Sequence, residues 1–500
     1  MAAHAEGFEI KQDTASRRIR ELLPHPVIDS DGHMIEFFPA YQDYVKQTAG
    51  QDMADRVTDA IARNGRARWY ERTPEERRKW HIGRPPFWVT TTRNHADRAT
   101  AMLPRLMRER LESFGVDYAV VYPTTGFAIP ERLHEDEVRQ AACRAHNTMA
   151  ADMFRDCADR LTPAAVIPCH TPAEAVAELE HCVKELDFKV VMLTNVIRRP
   201  VEGAAEQSPE LAQQALWGDV LALDSAYDYD PLWAKCVELK VAATAHGQSQ
   251  GFGLRRSHTN YMFNQTGHFA AAAHAFAKAL FFGGVTARFP SLNFAFLECG
   301  VAWGCTLYCD LVERWQKRGG AAIEQYDPAR LDVAYLAEMF DRYGGDILAG
   351  RLSGGAEAGA ANAAIGVTTT SDDDPDTLDD FAAAQINSLD DLYERFVPNF
   401  YFGCEADDAM TATAFKSEWY PRNARFNAIL GSDISHWDVP DMTEVLEEAY
   451  ELVEAGHMNE RDLRDFVFAN PVSLHAGMNP DFFKGTAIEE EVAELLASQA

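Results

Sequence analysis

Eight short apolar runs, each ending in polar residues and separated by helical patterns, limit what this chain can fold into. In order they are "HPVIDSD" (to Asp31), "DYAVVYP" (Asp117 to Pro123), "PAAVIPCH" (Pro163 to His170) and "FKVVMLTN" (Phe188 to Asn195). Then come "LKVAATAHG" (Leu239 to Gly247), "LNFAFLECG" (Leu292 to Gly300), "PNFYFGCE" (Pro398 to Glu405) and "FNAILGSD" (Phe426 to Asp433). Near-continuous apolar stretches of this length, bounded by turn residues, read as strands buried on both faces. Between them, "HEDEVRQAACRAHNTMAADMFRDC", "TPAEAVAELEHCVKEL", "DPLWAKCVEL" and "HAFAKALFFGGVTARFP" space their apolar residues as helices do. Thr171 followed by Pro172 and Glu174 reads as the cap of one of them. Eight alternations of strand and helix predict an α/β fold, a closed (β/α)8 TIM barrel, over residues 25–480.

Around that frame, residues 1–24 read as an N-terminal extension and 481–500 as a C-terminal helix. A charged, aromatic insertion at about 41–111 follows the first strand. A Gly/Ala-rich and then acidic insertion, at about 345–395, precedes the seventh and is expected to be flexible. Arg84, Phe87 and Trp88 in the first insertion are candidates for a lid or for packing on the barrel.

The 77 acidic against 47 basic residues give a net charge of −30, which disfavours nucleic acid and anionic membranes as partners. No apolar run is long enough to span a bilayer, and the N-terminus lacks the apolar core of a secretory signal. Nine scattered cysteines without a CxxC pair fit reduced thiols, so a cytoplasmic location is expected.

Barrel chemistry sits at the carboxyl ends of the strands. The first strand ends in Asp31-Gly32-His33, the fifth in His246, the sixth in Glu298 and the eighth in Asp433, with His436 and Asp438 close behind. Carboxylates and imidazoles converging on one mouth repel and desolvate each other unless a cation lies between them. A divalent metal is the simplest candidate, with buried ion pairs at strand ends as the bland alternative. Asp31 and His33, two apart, point the same way from an extended segment. Asp29 shares that parity but lies deeper, and suits a structural role inside the barrel.

The segments "VIDSDGHMIE" (Val27 to Glu36), "AHG" (Ala245 to Gly247), "GGVTARFPSLNFAFLECGVAW" (Gly283 to Trp303), "ILGSDISHWD" (Ile429 to Asp438) and "FVFANPVSLHAG" (Phe466 to Gly477) resemble the amidohydrolase superfamily. They are most similar to its amidohydrolase-related (amidohydrolase 2) branch, which contains aminocarboxymuconate-semialdehyde decarboxylase and the dihydroxybenzoate decarboxylases. The resemblance implies metal ligands at Asp31, His33, His246 and Asp433, with Asp433 also serving as general base. Two departures stand out: Asp31 and Glu298 occupy places where the family usually has histidine. Carboxylate oxygen is harder than imidazole nitrogen, which moves the preference from zinc toward manganese or iron.

Glu36 and His268 are further candidate ligands, so the full candidate set is Asp31, His33, Glu36, His246, His268, Glu298 and Asp433. His436 and Asp438 are expected to orient Asp433 or substrate. Lys189, at the start of the fourth strand, is poorly placed to bridge two metals as a carboxylated lysine does in two-zinc members. His170 and Asn195 are weaker substrate-contact candidates, His274 and the cysteines read as packing, and Cys299 has no evident activating base. With Asp433, His246 and Glu298 as the catalytic groups, the resemblance implies an enzyme acting on a small molecule. The narrowly favoured reading is a dinuclear Fe/Mn, O2-dependent hydroxylase. The alternatives are a metal-dependent hydrolase, a non-oxidative decarboxylase, or a non-catalytic subunit. A homo-oligomer, or a hetero-oligomer with a paralogue, is expected by family analogy.

Overall fold

The computed structural model describes residues 10–499 except 65–66, 87–92, 209–214, 248, 250–251, 328–329, 331 and 353–377. Eight parallel strands form one sheet: β1 Ile28–Met34, β2 Tyr118–Pro123, β3 Leu161–Val166, β4 Val190–Leu193, β5 Ala243–Ala245, β6 Phe294–Phe296, β7 Phe400–Cys404 and β8 Asn427–Leu430. Each pairs with the next in chain order; six lie within the segments expected from sequence, while β1 runs three residues past its segment to Met34 and β3 begins two residues ahead of its segment at Leu161. Helices lie between the strands, so the architecture is a nearly closed (β/α)8 barrel.

The seam between β8 and β1 is joined by a few specific bonds rather than by a regular ladder. Asp433 N–H donates to Asp31 O at 2.9 Å, and His33 N–H donates to Ile434 O at 3.1 Å. Asp29, fully buried, accepts from the backbone N–H of Ser432 at 2.9 Å and from its hydroxyl at 2.5 Å. Asp29 is therefore a structural link across the seam. Burial pushes its carboxyl up to about 6, against the pull of those hydrogen bonds.

Aromatic side chains on the strands pack against the surrounding helices: Phe294 meets Trp233, Phe296 meets Phe276 and Phe402 meets Trp303. Phe294, Phe296, Phe400 and Phe402 are fully buried, and Phe296 meets Phe400 edge to face at 5.2 Å. Burying each such ring stabilises the fold by about 1.5–3 kcal/mol. The helix Pro172–Glu185 starts where its cap predicts. Thr171 Oγ1 accepts from Glu174 N–H, and the Glu174 carboxylate accepts from Thr171 N–H. That reciprocal pair satisfies two amides the helix cannot bond itself.

The insertion after β1 is helical, including Phe38–Ala49, Gln51–Asn64 and Pro104–Phe114. Phe87 and Trp88 lie outside the described residues, as do residues 353–377 of the Gly/Ala/Asp-rich insertion. Arg84 is described, and its guanidinium donates to Thr259 O at 2.7 Å. After β4 the chain forms an antiparallel hairpin, Ile197–Pro200 with Leu216–Asp219, that the strand pattern did not anticipate.

Residues Tyr308–Glu394 form a separate compact unit, with helices at Val333–Tyr343 and Asp380–Ala383; the barrel unit comprises the rest. No described helix is long and apolar enough to cross a membrane. The nine cysteines form no disulfide.

Candidate metal centre

The carboxyl ends of β1, β5, β6 and β8 bring their polar residues together. His33 Nε2 lies 3.4 Å from Asp31 Oδ1 and 3.3 Å from Asp433 Oδ1. His246 Nε2 lies 3.3 Å from Glu298 Oε2 and 4.0 Å from Asp31 Oδ2. Two groups of donor atoms, each within 4.8 Å of one another, share His33: Asp31–His33–His246 and His33–Glu298–Asp433–His436. A third group of the same spread, Glu298–Glu405–Asp438, shares Glu298.

Backbone geometry brings these side chains close. Between Asp31 and His33, Gly32 is required because a Cβ there would meet Asp29 Oδ2 at 2.8 Å. Gly431 does the same from β8, where a Cβ would meet Asp31 Cβ at 2.8 Å. Glu298 (φ 50°) and Asp433 (φ 52°) each take the left-handed conformation just past their strands, which turns their carboxylates into the barrel mouth. Non-glycine residues adopt that conformation at a cost, and such strain concentrates at functional sites.

Apart from the contact between His436 and Asp433, the donor atoms crowd without hydrogen bonds to one another. Asp31 Oδ1, His33 Nε2, His246 Nε2, Glu298 Oε2 and Asp433 Oδ2 are buried and have no hydrogen-bond partner within the chain. Orphaned polar atoms of this kind cost free energy unless something binds them. Burial, with neighbouring acids adding to it, pushes the Glu298 and Asp433 carboxyls well up, and burial pushes Asp31 to about 6. Burial holds His33 well below its usual value, and lowers His246 as well. Clustered carboxylates made costly to ionise, beside imidazoles made costly to protonate, are relieved together by one multivalent cation. The residues present therefore fit a divalent metal, and their mix of oxygen and nitrogen donors leans toward a hard ion.

Around this core, His436 Nδ1 lies 2.6 Å from Asp433 Oδ1, and its Nε2 lies 2.8 Å from Thr124 Oγ1. The His436 ring stacks on that of His33 at 4.1 Å. Phe127 and Phe269 meet His246 edge-on at 4.9 and 5.0 Å. The cluster opens into a cavity of ≈ 410 Å³ whose walls include Phe127, Phe269, Tyr261, Trp437, Ile35 and Arg132.

Glu36 is placed apart from the donor groups. Its carboxylate accepts from the backbone N–H groups of Thr125 at 2.7 Å and Gly126 at 2.8 Å, and lies 2.9 Å from His146 Nε2. Those three contacts occupy it, and it is outside all three groups of donor atoms. His268 lines the cavity but also lies outside them, and burial lowers it to about 3. Lys189 donates to Phe482 O at 2.8 Å, away from the strand's carboxyl end. His170 and Asn195 do not line the cavity. Cys299 donates to Phe296 O, and burial pushes its thiol far up, which makes it inert.

Sequence reasoning passed over Glu405. It follows directly on β7 and ends that strand as Glu298 ends β6, so the same strand-end signal was available. Burial and the nearby acids Glu298 and Asp438 push its carboxyl up to about 9.

A family model described as Amidohydrolase matches residues 28–389. Among solved structures, the chain is similar to a dihydroxybenzoic acid decarboxylase from Polaromonas sp. JS666 with bound manganese and 2-nitroresorcinol. Identity is 14% and the TM-score 0.49, over 90% of this chain and 97% of that one. A 5-carboxyvanillate decarboxylase from Novosphingobium aromaticivorans DSM 12444, complexed with manganese, is 12% identical with a TM-score of 0.47, over 93% and 99%. A protein described as an amidohydrolase, from Mycobacterium avium subsp. paratuberculosis K-10, is 14% identical with a TM-score of 0.47, over 90% and 99%.

Proposed function

Because the chain belongs to the amidohydrolase family and is a metal-dependent enzyme, we propose that it cleaves a flat, acidic small molecule by non-oxidative decarboxylation at this centre. The observation that carries this reading is the mixed oxygen and nitrogen donor set, Asp31 and Asp433 beside His33 and His246 with Glu298 adjoining, opening into an aromatic-walled cavity. Such donors suit a hard ion such as Mn2+ better than zinc. Aromatic walls suit a planar ring.

In this reading Asp31, His33, His246 and Asp433 hold the ion. When bound, the ion supplies positive charge that holds a substrate carboxylate and a neighbouring hydroxyl. Phe127 and Phe269 flank His246 and keep water from the ring's faces. Asp433 and His436 share one proton across their 2.6 Å contact, with Thr124 fixing the far ring nitrogen. That pair is placed to deliver a proton to the carbon that loses carboxylate, the general-acid step decarboxylation requires. The test is CO2 release from a panel of ortho-hydroxylated aromatic acids by chain reconstituted with Mn2+. No CO2 from any of them would exclude the proposal.

The Glu298–Glu405–Asp438 group supports a second reading. Three further carboxylates next to the centre suit a second hard ion, and a dinuclear Fe or Mn/Fe pair suits O2-dependent hydroxylation. Two metal equivalents in anaerobically purified protein, together with O2 uptake, would favour it. One Mn favours decarboxylation, and one Zn favours hydrolysis.

A further inference from the structure

The cavity holds a cation that the metal centre does not use. Arg132 is the last residue of the helix Thr125–Arg132, which follows β2, and it forms part of the cavity wall. The other end of that helix adjoins the metal centre: Thr124, just before it, contacts His436 Nε2 at 2.8 Å. At 1.5 Å per residue, the helix carries Arg132 about 10 Å along the cavity from that contact. Among the described residues, the Arg132 guanidinium makes no hydrogen bond and no ion pair. Its charged surroundings are Glu131, its chain neighbour, which favours the cation, and Arg198, which opposes it. Burial lowers its guanidinium below the ordinary value, so its charge is held at a cost.

Resting on the reading above, we propose that Arg132 binds a second anionic group of the substrate, a carboxylate remote from the one held at the metal centre. The substrate class is then an aromatic dicarboxylate, or a ring bearing an equivalent oxyanion at its far end. A guanidinium meets a carboxylate through two parallel N–H···O bonds, and those bonds strengthen where water is excluded. Phe127 lies on the same helix between the two ends and supplies a face for the ring. A cation in the last turn of a helix is also favoured by the helix dipole. That effect needs no cavity, so it predicts no preference among ligands.

The test compares binding of terephthalate and biphenyl-4,4′-dicarboxylate with their monoamides by calorimetry on the full chain, both Mn2+-loaded and chelator-treated. The wild-type chain is expected to bind at least one diacid tenfold or more tighter than its monoamide. Arg132→Met should abolish that preference, and Arg132→Lys should keep part of it, with circular dichroism unchanged in both. A preference that survives in Arg132→Met, or no preference in the wild-type chain for either pair, overturns the assignment. Failure of the metal reading is separate: it shows as wild-type protein that takes up no metal, while the diacid preference and its loss in Arg132→Met remain measurable.

Discussion

Glu36 Oε1 lies 2.9 Å from His146 Nε2, and both side chains are almost fully buried. The same carboxylate accepts the first amides of the helix Thr125–Arg132. Burial alone would raise Glu36, but the contact with His146 and the two backbone N–H groups outweigh it and hold the carboxyl below its usual value. Glu36 thus fastens the segment after β1 to the helix that carries Phe127 and Arg132. Breaking one partner of a buried pair strands the other, at about 3–5 kcal/mol. Glu36→Ala is expected to lower unfolding free energy by that order in chemical denaturation while the metal content of the folded protein holds. Loss of metal at unchanged stability would make Glu36 a ligand after all.

Substitutions at the centre should behave in the opposite way. His246→Ala and Asp433→Asn are each expected to remove bound metal and turnover, read by elemental analysis and by assay. Purified Asp433→Asn with full metal content and turnover would overturn the assignment of the centre.

Gly431→Ala probes the same place through the backbone. The added methyl would stand 2.8 Å from Asp31 Cβ, closer than ordinary contacts allow. Overpacking of this kind costs about 1–3 kcal/mol. It should also push Asp31 off its position and weaken Mn2+ binding in a competition titration with a chelator. Unchanged affinity would mean that Asp31 is not a ligand.

Metal removal should be visible in stability. A ligand that binds only the folded chain adds about 2.7 kcal/mol at a hundredfold excess over its dissociation constant. Chelation is expected to lower the melting temperature and added Mn2+ to restore it. A melting temperature indifferent to both would contradict a metal bound in the barrel mouth.

His475, far from the centre and stacked on Phe482 at 4.4 Å, sets an acid limit. Burial lowers it to about 3, from an ordinary value of 6.5. The unfolded chain therefore binds a proton between pH 6.5 and 3 that the folded chain refuses. The contribution is intact above pH 6.5 and falls as pH drops through that window, by roughly 2 kcal/mol at pH 5. His475→Gln is expected to flatten that part of the stability–pH curve. A curve parallel to wild type would exclude His475 as its source.

The barrel was legible because its strands are buried on both faces, so apolar runs such as Ala243–Ala245 and Phe294–Phe296 carry no polar alternation to blur them. Where each run stopped gave Asp31, His246, Glu298 and Asp433 as neighbours in space. The contact of Glu36 with His146 was not legible, because His146 lies 110 residues on, inside the helix Asp136–Phe154. No local spacing reports such a pairing. The hairpin Ile197–Pro200 with Leu216–Asp219 was missed for a related reason. Its partly exposed strands, including Arg198 and Arg199, show no apolar run.

The seam across the barrel has a consequence for biosynthesis. Asp29 and Ser432 are 403 residues apart in the chain, and the bonds between their strands hold Asp31 and Asp433 together. A nascent polypeptide presents Asp31 and His33 long before the ribosome reaches Asp433. With Asp433 as a ligand, as proposed, the full donor set assembles only once β8 has been made, so a chain truncated before β8 is expected to lack the complete cluster.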